Sequence, residues 1–299
     1  MFIKPISILA FFLLIVSCCG SKQIVSTPPT EDIVQVEQQP DVIVEQEAEI
    51  EIEETEIIET PAEIEESEIK IVEEVEAAPE IIEVETFNHD SWNSLLQKHV
   101  SDQGNVNYKG FKADKTKLYG YIEYLQNNIP QDSWSRNKTL AYWINAYNAL
   151  TVDLIIRNYP LQSIKDIKDP WDQRLWKFGL KWYNLNDIEH QILRKMDEPR
   201  IHFAIVCASV SCPKLQNFAF NIRELNEQLT LATKEFLKDS SKNNISKNSL
   251  KLSKIFKWFG KDFKTNGSSL IDFLNQYSDV TISDKAKKSY KDYNWNLNE

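Results

Sequence analysis

The sequence lacks a second apolar run like the one near its N-terminus. From Ile6 to Val16 every residue except Ser7 is apolar. That run is too short for a transmembrane helix, but it is typical of the core of an export signal. No later segment approaches the length and apolarity of a membrane span. The sequence therefore predicts a mature protein that is not threaded through a membrane.

The apolar run ends in a short motif that contains a cysteine. Ile15-Val16-Ser17-Cys18 resembles the lipobox of bacterial lipoproteins, in which the signal is cleaved before the cysteine and the cysteine is lipidated. The resemblance implies a signal peptide over residues 1–17 and a membrane anchor at Cys18. The alternative is an ordinary signal cleaved nearby. Either way we expect an exported protein in the cell envelope, in the periplasm or another compartment that permits disulfides.

Residues 21–86 contain no glycine, tryptophan, tyrosine or phenylalanine. They carry 22 acidic residues against two lysines, and five prolines interrupt any helical period. Charge of one sign at this density opposes collapse into a core. We therefore expect residues 18–86 to be the lipidated cysteine followed by a disordered acidic tether.

Residues 87–299 have the opposite composition. They hold all eight tryptophans and all eleven tyrosines, and their net charge is +8. No cluster of lysine and arginine is dense enough to predict binding of nucleic acid. A mildly basic domain favours an anionic envelope component, a protein partner or its own tether.

The order of sequence patterns after residue 87 predicts the fold class. Helices are expected over 90–100, 118–125, 139–159, 186–196, 224–237 and 269–277, with Asn186 or Asp187 capping the fourth. Extended segments are expected at 106–108, 201–207, 250–256 and 290–297, and a hairpin at 175–184 that turns near Gly179. The expected elements do not follow the strand–helix–strand order that is typical of a parallel sheet. The expected fold is α+β: a helix-rich single domain with a small, mostly antiparallel sheet and hairpins.

The segment Arg200–Pro213 carries the two cysteines of this domain. Its apolar run from Ile201 to Val206 predicts a buried strand, followed by a loop of small residues where a site could be built. Three interpretations of Cys207 and Cys212 stay open: a structural disulfide, a nucleophilic or redox-active cysteine, and two unreactive, partly buried thiols. Because no histidine has a ligand-like spacing with them, no metal site is predicted, and no cofactor is expected.

Strand parity limits how Cys207 could find a base. In a straight strand His202 and Cys207 lie on opposite faces and about 17 Å apart. The sequence therefore predicts that His202 cannot reach Cys207 directly.

Two helices carry polar groups on their buried sides. On a helical wheel Glu189 lies at the edge of the apolar stripe of its helix, so its carboxylate needs a partner such as Arg200, a histidine or backbone amides. Asn145 and Asn148 are neighbours on a helix that is apolar nearly all round. We expect these amides to tie that helix to neighbouring loops, or to line a pocket.

Four motifs occur in order: YWINAYNAL, LNDIEHQILR, RIHFAIVCASVSCP and YKDYNWNLN. Together they resemble the domain of unknown function 547 family over about residues 90–297. The positions that carry the resemblance are Trp143, Asn145, Tyr147, Asn148, Glu189, His190, His202, Phe203, Cys207, Ser211, Cys212 and Pro213. The resemblance implies the domain type and no particular reaction or substrate.

Two classes of function follow. The first is a non-catalytic envelope or scaffold domain, closed by a Cys207–Cys212 disulfide. The second is a cysteine-dependent hydrolase or acyl-transferase with Cys207 as nucleophile and His190 or His202 as base, oriented by Glu189 or Asn145. We also expect Glu189 and the cysteine loop to face one cavity, with Asn145 or a histidine in its wall; this convergence would favour the second class, and its absence the first.

Overall fold

The computed structural model describes residues 87–264 and 267–299, and all of these belong to one compact unit of the chain. The signal peptide, Cys18 and the acidic tether predicted from the sequence lie outside the described residues. Within the described part, no helix combines the length and apolarity needed to cross a membrane.

The domain begins with four helices, and short strands and further helices follow. The elements, in sequence order, are α1 (Asp90–His99), α2 (Tyr108–Ala113), α3 (Lys115–Asn127), α4 (Arg136–Asn158), β1 (Trp176–Phe178), β2 (Lys181–Tyr183), α5 (Leu225–Lys238), β3 (Asn244–Ile245), β4 (Ser249–Leu252), α6 (Ile255–Trp258), α7 (Leu270–Tyr277) and β5 (Lys287–Tyr290). A π-helical turn at Asp187–Ile192 and 3-10 turns at Ile164–Asp166, Leu193–Met196 and Pro199–Phe203 complete them.

The predicted α+β class is confirmed. Strands β1 and β2 form an antiparallel hairpin that turns at Gly179, where φ is +57° and a side chain would be strained. A second sheet has the order β3-β4-β5, with an antiparallel β3–β4 pair and a parallel β4–β5 pair. Two of the three strand pairs are therefore antiparallel, as expected for a small, mostly antiparallel sheet.

Helix α4 is the centre of the larger core. The Ser135 hydroxyl caps it by accepting a hydrogen bond from the Lys138 N–H, and the helix ends before Pro160. Its residues from Leu140 to Ile156 are all buried, because α2, α3 and the turns at Asp187–Ile192 and Leu193–Met196 pack against it. A smaller apolar cluster joins Phe203 to α5, α6 and α7. The site described below lies where segments from both clusters meet.

The predicted strand over 201–207 is wrong. Residues 199–203 form a 3-10 helix that begins at Pro199 and is capped by Glu198, whose carboxylate accepts the Arg200 N–H. A short apolar run indicates burial on all sides, and periodicity alone cannot distinguish a strand from a buried helical turn. Here Ile201 and Ile205 enter the larger core while Phe203 enters the smaller one.

Three further boundaries differ from the sequence prediction because side chains cap helices there. Asn107 accepts the Gly110 N–H, so Tyr108 begins α2 and is not extended. Ser253 accepts the Ile255 N–H, so β4 is followed at once by α6. The turn that carries Glu189 is capped by Asn184, which accepts the Asp187 N–H, and not by Asn186 or Asp187.

Candidate functional site

A cavity of about 220 Å³ brings together the reactive side chains that the sequence singled out. Glu189, His190, His202, Cys207 and Cys212 all line it. Aromatic rings form much of the remaining wall, from Tyr147, Trp171, Trp258, Phe259, Tyr293 and Trp295. The convergence of Glu189 and the cysteine loop on one cavity is therefore observed, whereas catalytic roles for these residues stay predictions.

The C-terminal segment places two of the aromatic rings. After β5 it passes the cysteine loop, where the Val210 N–H donates to the Asn296 carbonyl and the Ser211 N–H to the Asn294 carbonyl. Side chains alternate along an extended segment, so Tyr293 and Trp295 share a face. Both line the cavity. Of the predicted extended stretch 290–297, only Tyr290 belongs to β5, and Asn296 and Leu297 form isolated bridges to Ser163 and Ser209.

Cys207 lies in the wall, half-buried, with three polar groups around its sulfur. Its Sγ is 2.9 Å from the Cys212 Sγ, 3.2 Å from the Ser209 Oγ and 3.2 Å from the Tyr293 hydroxyl. The backbone turns this tightly because Ala208 has a φ of +55°, a left-handed conformation found at strained functional positions. Both cysteines are free thiols, and the disulfide predicted for an oxidising compartment stays a prediction.

The two thiols differ in their tendency to ionise. Burial opposes ionisation of Cys207, but hydrogen bonds from Cys212, Ser209 and Tyr293 outweigh burial and hold the pKa of this thiol below its ordinary value. Burial and the adjacent Cys207 instead raise the pKa of Cys212 well above the ordinary value. The Cys207 N–H also donates to the Cys212 Sγ at 2.8 Å. Of the two thiols, Cys207 is therefore the one that ionises more readily.

Glu189 has a partner that the sequence did not predict. Arg200 is paired with Glu198, with its Nε 2.7 Å from a carboxylate oxygen, and it is not the partner of Glu189. The Tyr147 hydroxyl from α4 donates to the Glu189 Oε2 at 3.0 Å. Burial raises the pKa of Tyr147 well above its ordinary value, as does the adjacent Glu189. Tyr147 therefore stays protonated and holds the carboxylate in the wall.

The two histidines belong to one polar network that ends at Asp262. Arg194 donates through Nε and Nη2 to the two Asp262 oxygens, at 2.6 and 2.8 Å, and His202 Nε2 donates to Asp262 at 2.9 Å. Arg194 Nη1 donates to His190 Nδ1 at 3.0 Å. An arginine can only donate, so the proton of neutral His190 lies on Nε2. His202 is held by Asp262 and by stacking on Phe259, with ring centroids 4.1 Å apart.

The sequence argument that separates His202 from Cys207 assumes a straight strand, and this strand is absent. Because the backbone turns helically at Pro199–Phe203, His202 and Cys207 line the same cavity. The His202 ring still bonds Asp262, so His190, whose Nε2 carries the proton, is the histidine better placed to donate a hydrogen bond to a ligand.

Replacing Asp262 by asparagine is expected to remove part of the acid sensitivity of the fold. Burial alone would raise the pKa of Asp262, but the hydrogen bonds from Arg194 and His202 depress it below the ordinary value. A depressed folded-state pKa gives stability that is present above about pH 4 and is lost as the pH falls through the folded-state value. Urea unfolding at neutral and acid pH should show a smaller pH effect in Asp262→Asn than in the wild type; equal effects would contradict this role.

The buried amides of α4 fasten loops, as expected. The Asn145 side chain donates to the Phe220 carbonyl at 2.7 Å and accepts the Phe220 N–H at 3.0 Å. The Asn148 side chain donates to the Ala204 carbonyl at 2.9 Å and accepts the Val206 N–H at 3.0 Å. Asn145 does not line the cavity, so the predicted role of orienting a base has no geometric support. Asn148 supports the backbone immediately before Cys207.

Sequence reasoning missed most of the aromatic wall. Tyr293 and Trp295 lie in the last family-like motif, and their alternation in an extended segment was a signal that they share a face. Tyr147 lies in the α4 motif, where a buried tyrosine hydroxyl requires a partner. Asp262 and Trp258 lie outside the four motifs, and no pattern in the sequence connects them to Cys207.

A second groove and the search for a metal site give no alternative to this cavity within the described residues. A larger groove of about 1,090 Å³ includes His89, but burial lowers the pKa of that imidazole to about 3 and its Nδ1 lies 2.7 Å from the Tyr121 hydroxyl. No group of three or more His, Cys, Asp or Glu side chains in residues 87–264 and 267–299 is arranged to hold a metal ion.

The fold and the cavity define an α+β domain with a thiol in an aromatic-walled cavity. Residues 131–237 match the model of a family described as a protein of unknown function, DUF547. The match supports the resemblance for this region, which contains α4, Glu189 and both cysteines and stops before Tyr293. No curated protein and no solved structure matches the chain.

Proposed function

We propose that this domain performs thiol-dependent chemistry with Cys207 as the nucleophile, in the manner of a cysteine hydrolase or acyl-transferase. The proposal rests on the polar groups that surround one atom, the Cys207 Sγ. Ser209, Tyr293 and Cys212 surround the Cys207 Sγ within 3.2 Å at the wall of a cavity. The thiolate is the reactive form of a cysteine, and hydrogen bonds to the charged form favour it.

The chemistry follows from the groups in the wall. The Cys207 thiolate forms a bond to a carbonyl carbon, and the leaving group departs with its electron pair and takes a proton from water, while the His190 Nε2–H can donate a hydrogen bond to it. The resulting thioester is then cleaved by water or by a second nucleophile, which loses its proton to the solvent as the Cys207 thiolate leaves. Because the hydrogen bonds around the sulfur favour ionisation of Cys207, the attack needs no histidine in direct contact with the sulfur.

A second candidate function is thiol–disulfide exchange. It is favoured by the 2.9 Å contact between the Cys207 and Cys212 sulfurs. In such a reaction an accessible thiolate of low pKa attacks a substrate disulfide, and a buried neighbour then resolves the mixed disulfide. The half-buried Cys207 and the buried Cys212 match these two roles.

Alkylation with iodoacetamide, mapped by mass spectrometry, tests the first proposal. In the reduced protein at neutral pH we expect Cys207 to be labelled well before Cys212, and Cys212→Ser to retain labelling of Cys207. Slow labelling of both cysteines in a folded protein would overturn a reactive thiol and favour the scaffold class. Redox titration against glutathione tests the second candidate, which requires a reversible Cys207–Cys212 disulfide.

We also propose that the protein is an exported lipoprotein, with the domain displayed outside the cytoplasm at the envelope membrane. The support is the apolar run that ends in Ile15-Val16-Ser17-Cys18, together with the family resemblance. Stable attachment needs about two acyl chains, which lipoprotein processing would supply at Cys18.

Replacing Cys18 by alanine is expected to release the protein from the membrane fraction, because no other anchor is predicted. Fractionation by centrifugation and the mass of the mature N-terminus measure the effect. A Cys18→Ala protein that still sediments fully with membranes, with its mature mass unchanged, would contradict the anchor.

A further inference from the structure

The carboxylate of Glu189 has capacity for a further hydrogen bond. Only 7% of this residue is exposed, and it lines the cavity. Its Oε2 accepts the Tyr147 hydroxyl. No described residue donates a hydrogen bond to its Oε1, and Oε1 is not among the unpaired side-chain atoms that are inaccessible to solvent. Oε1 is therefore accessible and can accept a hydrogen bond from a ligand in the cavity.

The walls around this carboxylate are aromatic faces and edges. Tyr293 lies 4.8 Å from Trp258 and 4.6 Å from Trp295, measured between ring centroids. Trp171 packs edge-on against Trp295 at 5.8 Å. The face of an aromatic ring carries partial negative charge and attracts cations, most strongly in tryptophan. Such walls also offer apolar surface to small alkyl groups.

One carboxylate in the cavity wall has no ion-pair partner among the described residues. Asp262 is neutralised by the bidentate ion pair with Arg194, whose remaining nitrogen donates to His190. Glu189 has no such partner, so an anionic ligand beside it would be repelled. Lys165 lies over the Trp295 ring, with its Nζ 4.9 Å from the centroid, so one face of that ring already contacts a cation. A neutral apolar ligand would leave the open oxygen of Glu189 without a hydrogen bond at a cost in free energy.

We propose that the cavity binds an ammonium head group, with Glu189 as its counter-ion and the tryptophan and tyrosine rings as its walls. The small volume of about 220 Å³ suits a head group better than a whole drug-sized ligand. If the proposed function holds, this head group is part of the substrate, so the compound that reacts with Cys207 carries an amine or alkylated ammonium. In this one respect the inference rests on the proposed function.

Binding of choline to the full-length protein tests the proposal, with its uncharged isostere 3,3-dimethyl-1-butanol as the matched probe. Tryptophan fluorescence reports occupancy, since Trp171, Trp258 and Trp295 line the cavity, and sodium chloride keeps the ionic strength equal. We expect saturable binding of choline at least about tenfold tighter than that of the isostere, as a desolvated cation–π and carboxylate site implies. Equal affinities, or no saturable binding of choline, would overturn the proposal.

Two variants and a control locate the site. Glu189→Gln should abolish the preference for the cation, whereas Glu123→Gln, the same change on an exposed position of α3, should leave it intact. Trp258→Ala should weaken choline binding several-fold, and because this ring is 46% exposed its loss should spare the fold. A cation preference retained in both Glu189→Gln and Trp258→Ala would overturn the proposal.

The same assay separates this inference from the proposed reaction. Cys207→Ala should still bind choline, because the sulfur is not the counter-ion. Glu189-dependent binding with an unreactive Cys207 would uphold the ammonium site and overturn the thiol chemistry. A reactive Cys207 without Glu189-dependent binding would uphold the thiol chemistry and overturn the ammonium site.

Discussion

Replacing Asn148 by alanine is expected to lower the free energy of unfolding by about 2–5 kcal/mol, the largest stability effect foreseen for a polar side chain of this domain. The side chain pairs with the Ala204 carbonyl and the Val206 N–H in the core. Alanine would leave both backbone groups buried and unpaired, and each such group costs about 1–3 kcal/mol. Urea unfolding of the wild type and Asn148→Ala measures the difference.

Asn158→Ala is the matched control. Asn158 lies at the end of the same helix, and its side chain makes one hydrogen bond, to the Leu154 carbonyl. A single partly buried bond contributes about 0.5–1.5 kcal/mol, so this variant should lose clearly less stability. Similar losses in the two variants would show that Asn148 does not fasten the backbone before Cys207 as its geometry indicates.

Replacing Tyr293 by phenylalanine is expected to raise the pKa of Cys207. The hydroxyl lies 3.2 Å from the Cys207 sulfur, and a hydrogen bond to the charged form of a group favours that form, so its loss disfavours the thiolate. The phenylalanine ring keeps the packing against Trp258 and Trp295. The pH dependence of the alkylation rate of Cys207 measures the shift.

Tyr290→Phe removes a hydroxyl from the nearby strand β5, where the ring is 37% exposed and does not line the cavity. This variant should keep the wild-type pH profile. If Tyr293→Phe leaves the profile unchanged too, the tyrosine hydroxyl does not stabilise the thiolate, and Ser209 and Cys212 alone would have to account for it.

The long amphipathic or fully apolar helices could be predicted from the sequence. Helices α1, α4, α5 and α7 begin and end within a few residues of the predicted positions, because apolar spacing, caps and prolines are local signals. The β1–β2 hairpin was predicted for the same reason, since Gly179 marks its turn. These elements make up most of the scaffold that surrounds the site.

The segment from Pro199 to Cys207 shows where local signals fail. Its apolar run indicated burial correctly, but whether it forms a strand or a helical turn depends on which elements pack on each side of it. Phe203 and Ile205 enter different clusters, which no local pattern encodes. The strand assignment also placed His202 on the opposite face from Cys207, whereas both side chains line one cavity. His202 bonds Asp262 there, and the prediction that it does not bond Cys207 directly is not contradicted.

The candidate site was predicted in part. Glu189 and the two cysteines converge on one cavity, as expected from a carboxylate on the edge of an apolar stripe and a small-residue loop after a buried segment. The wall was expected to contain Asn145 or a histidine: His190 and His202 line the cavity, whereas Asn145 binds Phe220. Tyr293 and Asp262 lie 86 and 55 residues from Cys207 in the sequence, and only the folded protein shows that they contribute to the site.

The pH profile of Cys207 alkylation tests the central claim most directly. Iodoacetamide reacts with the thiolate, so the midpoint of the rate profile, followed by mass spectrometry of the reduced full-length protein, gives the pKa of Cys207 in the folded state. A cysteine peptide in the same buffers is the control, with a pKa of about 8.5. The hydrogen bonds around the sulfur predict a midpoint clearly below that of the peptide. A midpoint at or above the peptide value would contradict a stabilised thiolate and the thiol-dependent function built on it.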